Sequence, residues 1–342
     1  MCVPGTEYII DPIALGDARA LSGVLSDQGI EKVFHSADYD LRSLDRDWGI
    51  RVRNLYDTSI ASAFLGVERL GLGAVVGEML GIELPKSKRL QRADWGRRPL
   101  GEEALEYAAG DVRHLLTLRE KLGKRLVELG RADWVAEECA RLSEVRYVAH
   151  DLENAFLSVK GSGLLDGRGL AVLKSIHEFR EREALRVGRP HFKVLPDAAL
   201  VELAGSPSTE VLGMKGLGPY SRPPAAGSLR EALRAGVAAP EEKRPARRRG
   251  SGPHLSPTAR ARAKTRLALL KEWRAGMGKQ LGLDPALLWP AASLERLSRG
   301  ESGIDAELTS PEVRGWQARE FTNSLRSFLE GAGAPVGRPG GE

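Results

Sequence analysis

The strongest constraint on the fold is that strand signals occur only before residue 60 of this 342-residue chain. Short apolar runs typical of strands cover residues 7–11, 32–35 and 53–57, and helical periodicity covers 15–28 and 37–47 between them. Strands that alternate with helices predict an α/β layer with a partly parallel sheet. Three strands are fewer than a sheet usually has, so we expect this layer to be incomplete.

Helical patterns dominate the rest of the chain. We predict helices over about 57–65, 70–80, 102–128 and 130–143 in the first part. Beyond residue 150 the strand signals stop, and an amphipathic helix is expected over 168–187.

An internal repeat links the two halves of this helical region. The segment Leu170–Arg180 resembles Leu267–Arg274 once its extra residues are allowed for, and Val194–Leu200 resembles Leu288–Leu294. A repeat of this kind predicts two copies of one small all-helical domain.

Composition excludes several classes of protein. Hydrophobic residues make up 42% and charged residues 28% of the chain, as in ordinary globular proteins. Cys2 and Cys139 form no disulfide framework and no zinc-ligand spacing, which favours a reducing, cytoplasmic location. No apolar run reaches the length of a membrane span, and we expect no membrane partner.

The positive charge is concentrated in one segment. The chain carries a net charge of +5, and residues 240–266 hold nine Lys or Arg against two acids, which is +7. Two hypotheses remain open for this segment: contact with a phosphate backbone, or a solvated basic linker. The Ala-, Pro-, Gly- and Arg-rich composition of residues 234–257 cannot bury a core and favours a flexible segment.

Two carboxylates and a phenol are the candidates for chemistry. Tyr107 and Asp111 lie four residues apart in a predicted helix and therefore share one face, and Asp40 follows a predicted strand. Carboxylate oxygens suit Mg²⁺ or Mn²⁺, and phosphodiester cleavage by two metals needs several of them together.

These residues fall within a pattern that resembles ribonuclease D, a DEDD-superfamily 3′-5′ exonuclease of the tyrosine subclass. The resemblance is carried by four blocks in the family's order: residues 35–41, 55–61, 84–100 and 107–112. The two helical repeats are similar to HRDC domains, and the second copy, with Gly315-Trp316-Gln317, is the clearer one.

The resemblance implies a fold class, a site and a partner. The expected fold is α/β, a truncated ribonuclease H-like exonuclease domain followed by two all-α HRDC-like helical domains. It implies two-metal hydrolysis of RNA with Mg²⁺ or Mn²⁺, in which Asp40 and Asp111 hold metal and Tyr107 orients the attacking water. The expected substrate is RNA with a single-stranded 3′ end, such as a transfer RNA precursor. The expected nucleic-acid-binding residues are Lys86, Lys88, Arg89, Arg92, Lys215, Arg247, Arg248 and Arg249.

One departure from the family pattern affects activity. The family's first motif, Asp-x-Glu on the opening strand, supplies two of four metal ligands, and Glu7 and Asp11 do not replace it. Either the natural protein begins further upstream, which we favour, or the chain has lost its first strands. In both cases we predict little or no hydrolysis by these 342 residues alone.

Two alternatives stay open: a nucleic-acid-binding protein without catalysis on a degenerate exonuclease scaffold, and a DNA-directed exonuclease of the same superfamily. The oligomeric state cannot be predicted. The expected domains are an exonuclease domain over 1–148, a first HRDC-like domain over 149–236, a basic flexible linker over 237–258, a second HRDC domain over 259–333 and a disordered tail over 334–342.

Overall fold

The computed structural model describes residues 1–85, 87–149, 153–207, 211–245 and 255–333. The chain forms two compact units. The first combines Met1–Tyr147 with Gly252–Glu342, and the second consists of Val148–Ser251. No helix among the described residues is long and apolar enough to cross a membrane.

The first unit contains the four described strands, which form two separate pairs. Strands β1 (Cys2–Val3) and β2 (Thr6–Glu7) form an antiparallel hairpin, whereas β3 (Lys32–Phe34) and β4 (Leu55–Asp57) pair in parallel. The strands predicted over 32–35 and 53–57 are therefore confirmed in shortened form. The parallel pair makes the carboxyl ends of β3 and β4 meet at one edge, since Phe34 lies opposite Asp57.

The strand predicted over 7–11 is wrong beyond its first residue. Asp11 instead caps a short helix, because its carboxylate accepts hydrogen bonds from the N–H groups of Ile13 and Ala14, and Pro12 fits the first helical position. A strand that continued through Asp11 would leave those two N–H groups without this acceptor.

Nine helices, α1 to α9, are described in the N-terminal part of this unit. In chain order they are Pro12–Leu15, Ser22–Leu25, Asp38–Trp48, Thr58–Ala63, Leu72–Leu80, Lys88–Gln91, Glu102–Arg113, Leu115–Glu128 and Ala132–Ser143.

Two predicted helices are divided. The helix expected over 15–28 is replaced by a 3-10 turn at Arg19–Leu21 followed by α2, because Gly16 takes a left-handed conformation that ends α1. The helix expected over 102–128 breaks at His114, whose ψ of 0° separates α7 from α8. After this break α8 buries four leucines, whereas α7 buries only Ala109.

The described residues of the second unit form helices joined by turns and irregular segments, with no strand among them. Its helices α10 to α13 are Gly167–Val187, His191–Val194, Asp197–Gly205 and Ala225–Ala238. Its core contains Phe156, Leu173, Ile176 and Leu200, each almost fully buried. The helix predicted over 168–187 is confirmed, since its apolar positions recur with helical spacing on a buried face.

The C-terminal part of the first unit repeats this arrangement. Its helices α14 to α18 are Pro257–Leu281, Pro285–Leu288, Ala291–Arg299, Ile304–Leu308 and Gly315–Gly333. In both copies a long helix ends at a left-handed glycine, Gly188 or Gly282, and a four-residue helix and a nine-residue helix follow.

The repeat extends to equivalent hydrogen bonds. Arg180 donates to the carbonyl oxygen of Leu195 at 3.4 Å, and Arg274, 94 positions later, donates to that of Trp289 at 2.9 Å. Both acceptor residues are fully buried. An arginine at the equivalent position thus joins the long helix to the following turn in each copy, which confirms the predicted repeat.

The C-terminal helices share one hydrophobic core with the N-terminal part of their unit. The Trp134 and Trp316 rings stack with centroids 4.8 Å apart, and Phe64 packs edge-on against Trp316 at 5.2 Å. The carboxylate of Glu137 accepts hydrogen bonds from the N–H groups of Gly315 and Trp316, at 2.5 and 2.9 Å. A side chain of α9 therefore caps the first turn of α18.

The bounds of the segment between α13 and α14 differ from the predicted linker over 237–258. Helix α13 continues to Ala238, and α14 already begins at Pro257. The described residues after α13 pack within their own unit, because the Glu242 N–H donates to Gly167 O at 3.0 Å and Glu242 forms an ion pair with Lys174 at 2.6 Å. The tail over 334–342 lies outside the described residues.

Candidate active site

Asp57 organises the edge where the two parallel strands end. Its carboxylate is fully buried and accepts four backbone N–H groups, from Ser36 and Ala37 at 3.0 and 2.7 Å and from Ser59 and Ile60 at 2.8 and 3.3 Å. One side chain thus fixes both the entry to α3 and the start of α4. Asp57 therefore caps the helix that opens at Thr58.

Asp40 lies in the first turn of α3, directly after this turn. Its side chain is exposed to solvent, yet partial desolvation raises the pKa of the carboxyl group, and the charge of Asp57 raises it further. Asp40 forms no ion pair with any residue in the described part of the chain, so its oxygens are free to bind a ligand.

Tyr107 and Asp111 both lie on α7, one turn apart. Asp111 is exposed, and desolvation raises the pKa of its carboxyl group. The Tyr107 ring is half-buried and packs at 6.2 Å from the ring of Trp95, whose indole N–H donates to Leu90 O at 3.0 Å. A fixed aromatic neighbour therefore limits the positions of the Tyr107 ring.

Helix α8 connects the helix that carries Tyr107 and Asp111 to the sheet edge that precedes Asp40. Helix α8, which follows α7 directly, packs against β3, and β3 leads into the turn before Asp40. The described residues nevertheless contain no group of three or more Asp, Glu, His or Cys side chains able to hold a metal ion. The donor set offered by Asp40 and Asp111 is therefore smaller than a complete two-metal site requires.

Three nearby ionisable residues are committed to other contacts. The ring nitrogens of His35 lie 2.9 Å from Thr58 Oγ1 and 2.8 Å from Leu70 O, and burial lowers the pKa of this histidine. These contacts give His35 a structural role. Glu7 and Asp11 form ion pairs with arginines at 2.6 Å, and neither is a free metal ligand.

The predicted nucleic-acid-binding residues have different surroundings. Lys88, Arg89 and Arg92 are exposed on and after α6, and Arg89 pairs with Glu103. Lys215 is exposed in the second unit, in a turn built on left-handed glycines. The remaining four, Lys86, Arg247, Arg248 and Arg249, lie outside the described residues.

Sequence reasoning missed the contacts that hold Trp95. Arg98 donates to the Trp95 carbonyl at 2.8 Å and forms two hydrogen bonds of 2.6 Å with the Asp11 carboxylate. The Asp94-Trp95 block was visible in the sequence, but its partners are distant in the chain and no spacing could reveal them. These contacts connect the first turn of α1 to the ring beside Tyr107.

Comparison with known proteins identifies the class of enzyme. A model of the 3'-5' exonuclease family matches residues 1–127, and a model of the HRDC domain matches residues 169–222, in the first helical copy. The chain is thus a 3'-5' exonuclease-type protein with an HRDC domain. A ribonuclease D of Gluconacetobacter diazotrophicus is 31% identical over 330 residues, which cover 94% of this chain and 80% of that protein. The chain belongs to the ribonuclease D family of 3′-5′ exoribonucleases.

Solved structures share the fold. A protein from Bifidobacterium adolescentis superimposes with a TM-score of 0.73 at 21% identity, over 88% of this chain and 79% of that one. Escherichia coli RNase D, an exoribonuclease involved in structured RNA processing, superimposes with a TM-score of 0.58 at 24% identity, over 94% and 83%. Both similarities support the predicted order of an α/β exonuclease domain followed by helical domains.

Proposed function

We propose that this chain, together with an Asp-x-Glu strand, trims the 3′ end of structured RNA, with transfer RNA precursors as the substrate class. The observation that carries the proposal is that nearly the whole chain is similar to ribonuclease D. The E. coli relative's role in structured RNA processing supports the choice of substrate. A binding protein without catalysis and a DNA-directed exonuclease are the less favoured alternatives, because the relatives are ribonucleases.

The proposed site consists of Asp40, Asp111 and Tyr107. Exposed carboxylates without ion-pair partners among the described residues suit Mg²⁺ or Mn²⁺, and the choice between the two metals is open. When bound, the metal would neutralise charge on the scissile phosphate. Tyr107 lies on the same helix as Asp111, and its hydroxyl would hold the attacking water by a hydrogen bond. Two carboxylates are fewer than two-metal hydrolysis needs.

From this donor count we infer that residues 1–342 alone hydrolyse RNA slowly or not at all. The carboxylates of an Asp-x-Glu strand would complete the donor set. A matched pair of proteins tests this inference. One is the unextended chain, and the other is the chain extended at Met1 by the Asp-x-Glu strand segment of a ribonuclease D.

The assay follows an RNA hairpin with a single-stranded 3′ tail, labelled at its 5′ end, in Mg²⁺ or Mn²⁺. We expect tight binding by both proteins and stepwise shortening by the extended protein alone. Efficient trimming by the unextended chain would overturn the inference that its metal-binding carboxylates are too few. Failure of both proteins to bind or trim RNA would overturn the ribonuclease proposal itself.

Phosphate contacts are proposed for the basic residues on and after α6. Lys88 and Arg92 are exposed cations in the block that leads to Trp95, and Trp95 packs against Tyr107. Lys215 is proposed for the second unit. The contributions of Arg89, which pairs with Glu103, and of Lys86, Arg247, Arg248 and Arg249 remain predictions, as do the domain bounds and a cytoplasmic location.

A further inference from the structure

Helix α14 carries a group of exposed cations that lie outside the four blocks of the family resemblance and outside the proposed site, and all of them except Lys271 belong to the basic segment 240–266. The group consists of Arg260, Arg262, Lys264, Arg266 and Lys271. None of them forms an ion pair with an acidic residue in the described part of the chain. Arginines on the neighbouring helices of the same domain are paired: Arg296 with Glu307 at 2.8 Å and Arg299 with Glu295 at 3.2 Å.

Three of these cations form a line along the helix. With ~3.6 residues per turn, Arg260, Lys264 and Lys271 point within about 40° of one another. A rise of ~1.5 Å per residue separates them by about 6 and 10 Å along the axis. We name these three residues the α14 cation stripe. Evenly directed positive charges at such spacings match a run of backbone phosphates.

The charges of α14 oppose the stability of the helix itself. Arg260 and Lys264, like Arg262 and Arg266, are like-charged pairs four residues apart, which repel each other on a helix surface. They also lie in the half of the helix near its N-terminus, where the helix dipole favours anions. A bound polyanion would turn each of these unfavourable interactions into a favourable one.

The other end of α14 is fixed to the nuclease part of the same unit. Arg131 is buried and donates to Phe64 O at 2.8 Å and to Leu281 O, at the end of α14, at 2.7 Å. The backbones of Gly66 and Gly282 approach so closely that a Cβ on Gly66 would lie 2.3 Å from Gly282 O. At ~1.5 Å per residue, Arg260 lies about 32 Å along the helix axis from Leu281, so the stripe belongs to a helix whose C-terminal end is fixed to the nuclease part.

We propose that the α14 cation stripe binds the phosphodiester backbone of RNA that the nuclease site acts on. This inference rests on the proposed ribonuclease function and adds a binding surface to it. Because the stripe presents charge and no arrangement for base edges, it binds RNA of any sequence. Because the C-terminal end of α14 contacts the nuclease part, the helix holds this RNA segment in a constant position relative to it.

Fluorescence anisotropy with the full chain tests the proposal, using a labelled RNA hairpin with a 3′ tail, without divalent metal and from about 50 to 300 mM KCl. One triple variant replaces the stripe with glutamine. The matched control replaces three exposed cations of α8 and α9 with glutamine: Lys121, Lys124 and Arg141. We expect the stripe variant to bind about tenfold more weakly at low salt, with the slope of log K against log salt reduced by about two.

A single charge reversal separates binding from folding. Arg260→Glu places an anion four residues before Lys264 and near the helix N-terminus, both of which favour the helix. We expect a thermal midpoint equal to or above that of the unmodified chain, together with weaker RNA binding. Such a result excludes unfolding as the cause of lost affinity.

The outcomes distinguish this inference from the proposed function. Equal loss of affinity in the stripe and control variants, or an unchanged salt slope in the stripe variant, overturns the inference alone. Absence of RNA binding by the unmodified chain overturns the ribonuclease proposal and the inference with it.

Discussion

At the scale of single residues, the buried carboxylate of Asp57 connects the fold to the candidate site. It accepts backbone N–H groups from the turn before α3 and from the first turn of α4. Asp40 lies only three residues after Ala37, which is one of those donors. The position of the exposed carboxylate therefore depends on a buried one.

Asp57→Asn is expected to lower the free energy of unfolding by about 2–3 kcal/mol, since an amide cannot accept all four bonds and its NH₂ group faces N–H donors. Urea denaturation monitored by circular dichroism gives this value. Asp133→Asn, an exposed acid at the start of α9, is the control and should cost less than about 1 kcal/mol. Equal costs for the two variants would contradict the assigned role of Asp57.

His35 gives the stability a pH dependence. Burial lowers the pKa of His35 in the folded chain, so below the ordinary histidine pKa of about 6.5 the unfolded chain binds a proton that the folded chain does not. Stability should therefore fall as pH decreases through this value. Urea denaturation at pH 8 and pH 5.5 should show that the free energy of unfolding falls less in His35→Gln than in the unmodified chain. A fall of the same size in both proteins would show that His35 does not contribute.

At the scale of helices and strands, capping residues decide most of the differences between expectation and structure. The apolar periodicity of residues 168–187 predicted α10 to within a residue because the buried face repeats regularly. The break at His114 depends on one backbone angle, and the cap at Asp11 depends on two hydrogen bonds. Periodicity averages over a whole helix and does not detect such local features.

Helix α18 provides an element-scale test. Its first turn is capped by Glu137, a side chain from α9 rather than from α18 itself. Glu137→Ala should lower the free energy of unfolding by about 1–2 kcal/mol, as the loss of a helix cap usually does. Glu120→Ala, at an exposed position of α8, is the control, and a thermal or urea titration compares the two. A Glu137 variant as stable as the control would exclude the capping role.

At the scale of the whole molecule, the chain order of domains differs from their grouping in space. The second helical copy shares a core with the nuclease part, although Val148–Ser251 separates them in sequence. The repeat itself was predictable, because both copies carry the same apolar spacing and the same arginine. The shared core of the second copy and the nuclease part was not predictable, because that packing depends on complementary surfaces such as Trp134 and Trp316.

Separate expression of the pieces tests this grouping. Residues 1–147 alone would expose Phe64 and Trp134, which Trp316 covers in the full chain, and we expect no cooperative unfolding transition. Residues 148–251 have their own buried core and should unfold cooperatively. Circular dichroism with urea compares them, and a stable isolated 1–147 fragment would contradict the shared core.

The central claim is that Asp40 and Asp111 belong to the site where a ribonuclease D-type enzyme cleaves RNA. The most direct measurement is 3′ trimming of the tailed RNA hairpin by the chain extended with an Asp-x-Glu strand, compared with the same protein carrying Asp40→Asn or Asp111→Asn. Our account predicts stepwise shortening by the extended protein and a loss of at least about 100-fold in either variant, with RNA binding retained. Trimming at an undiminished rate by both variants would contradict it.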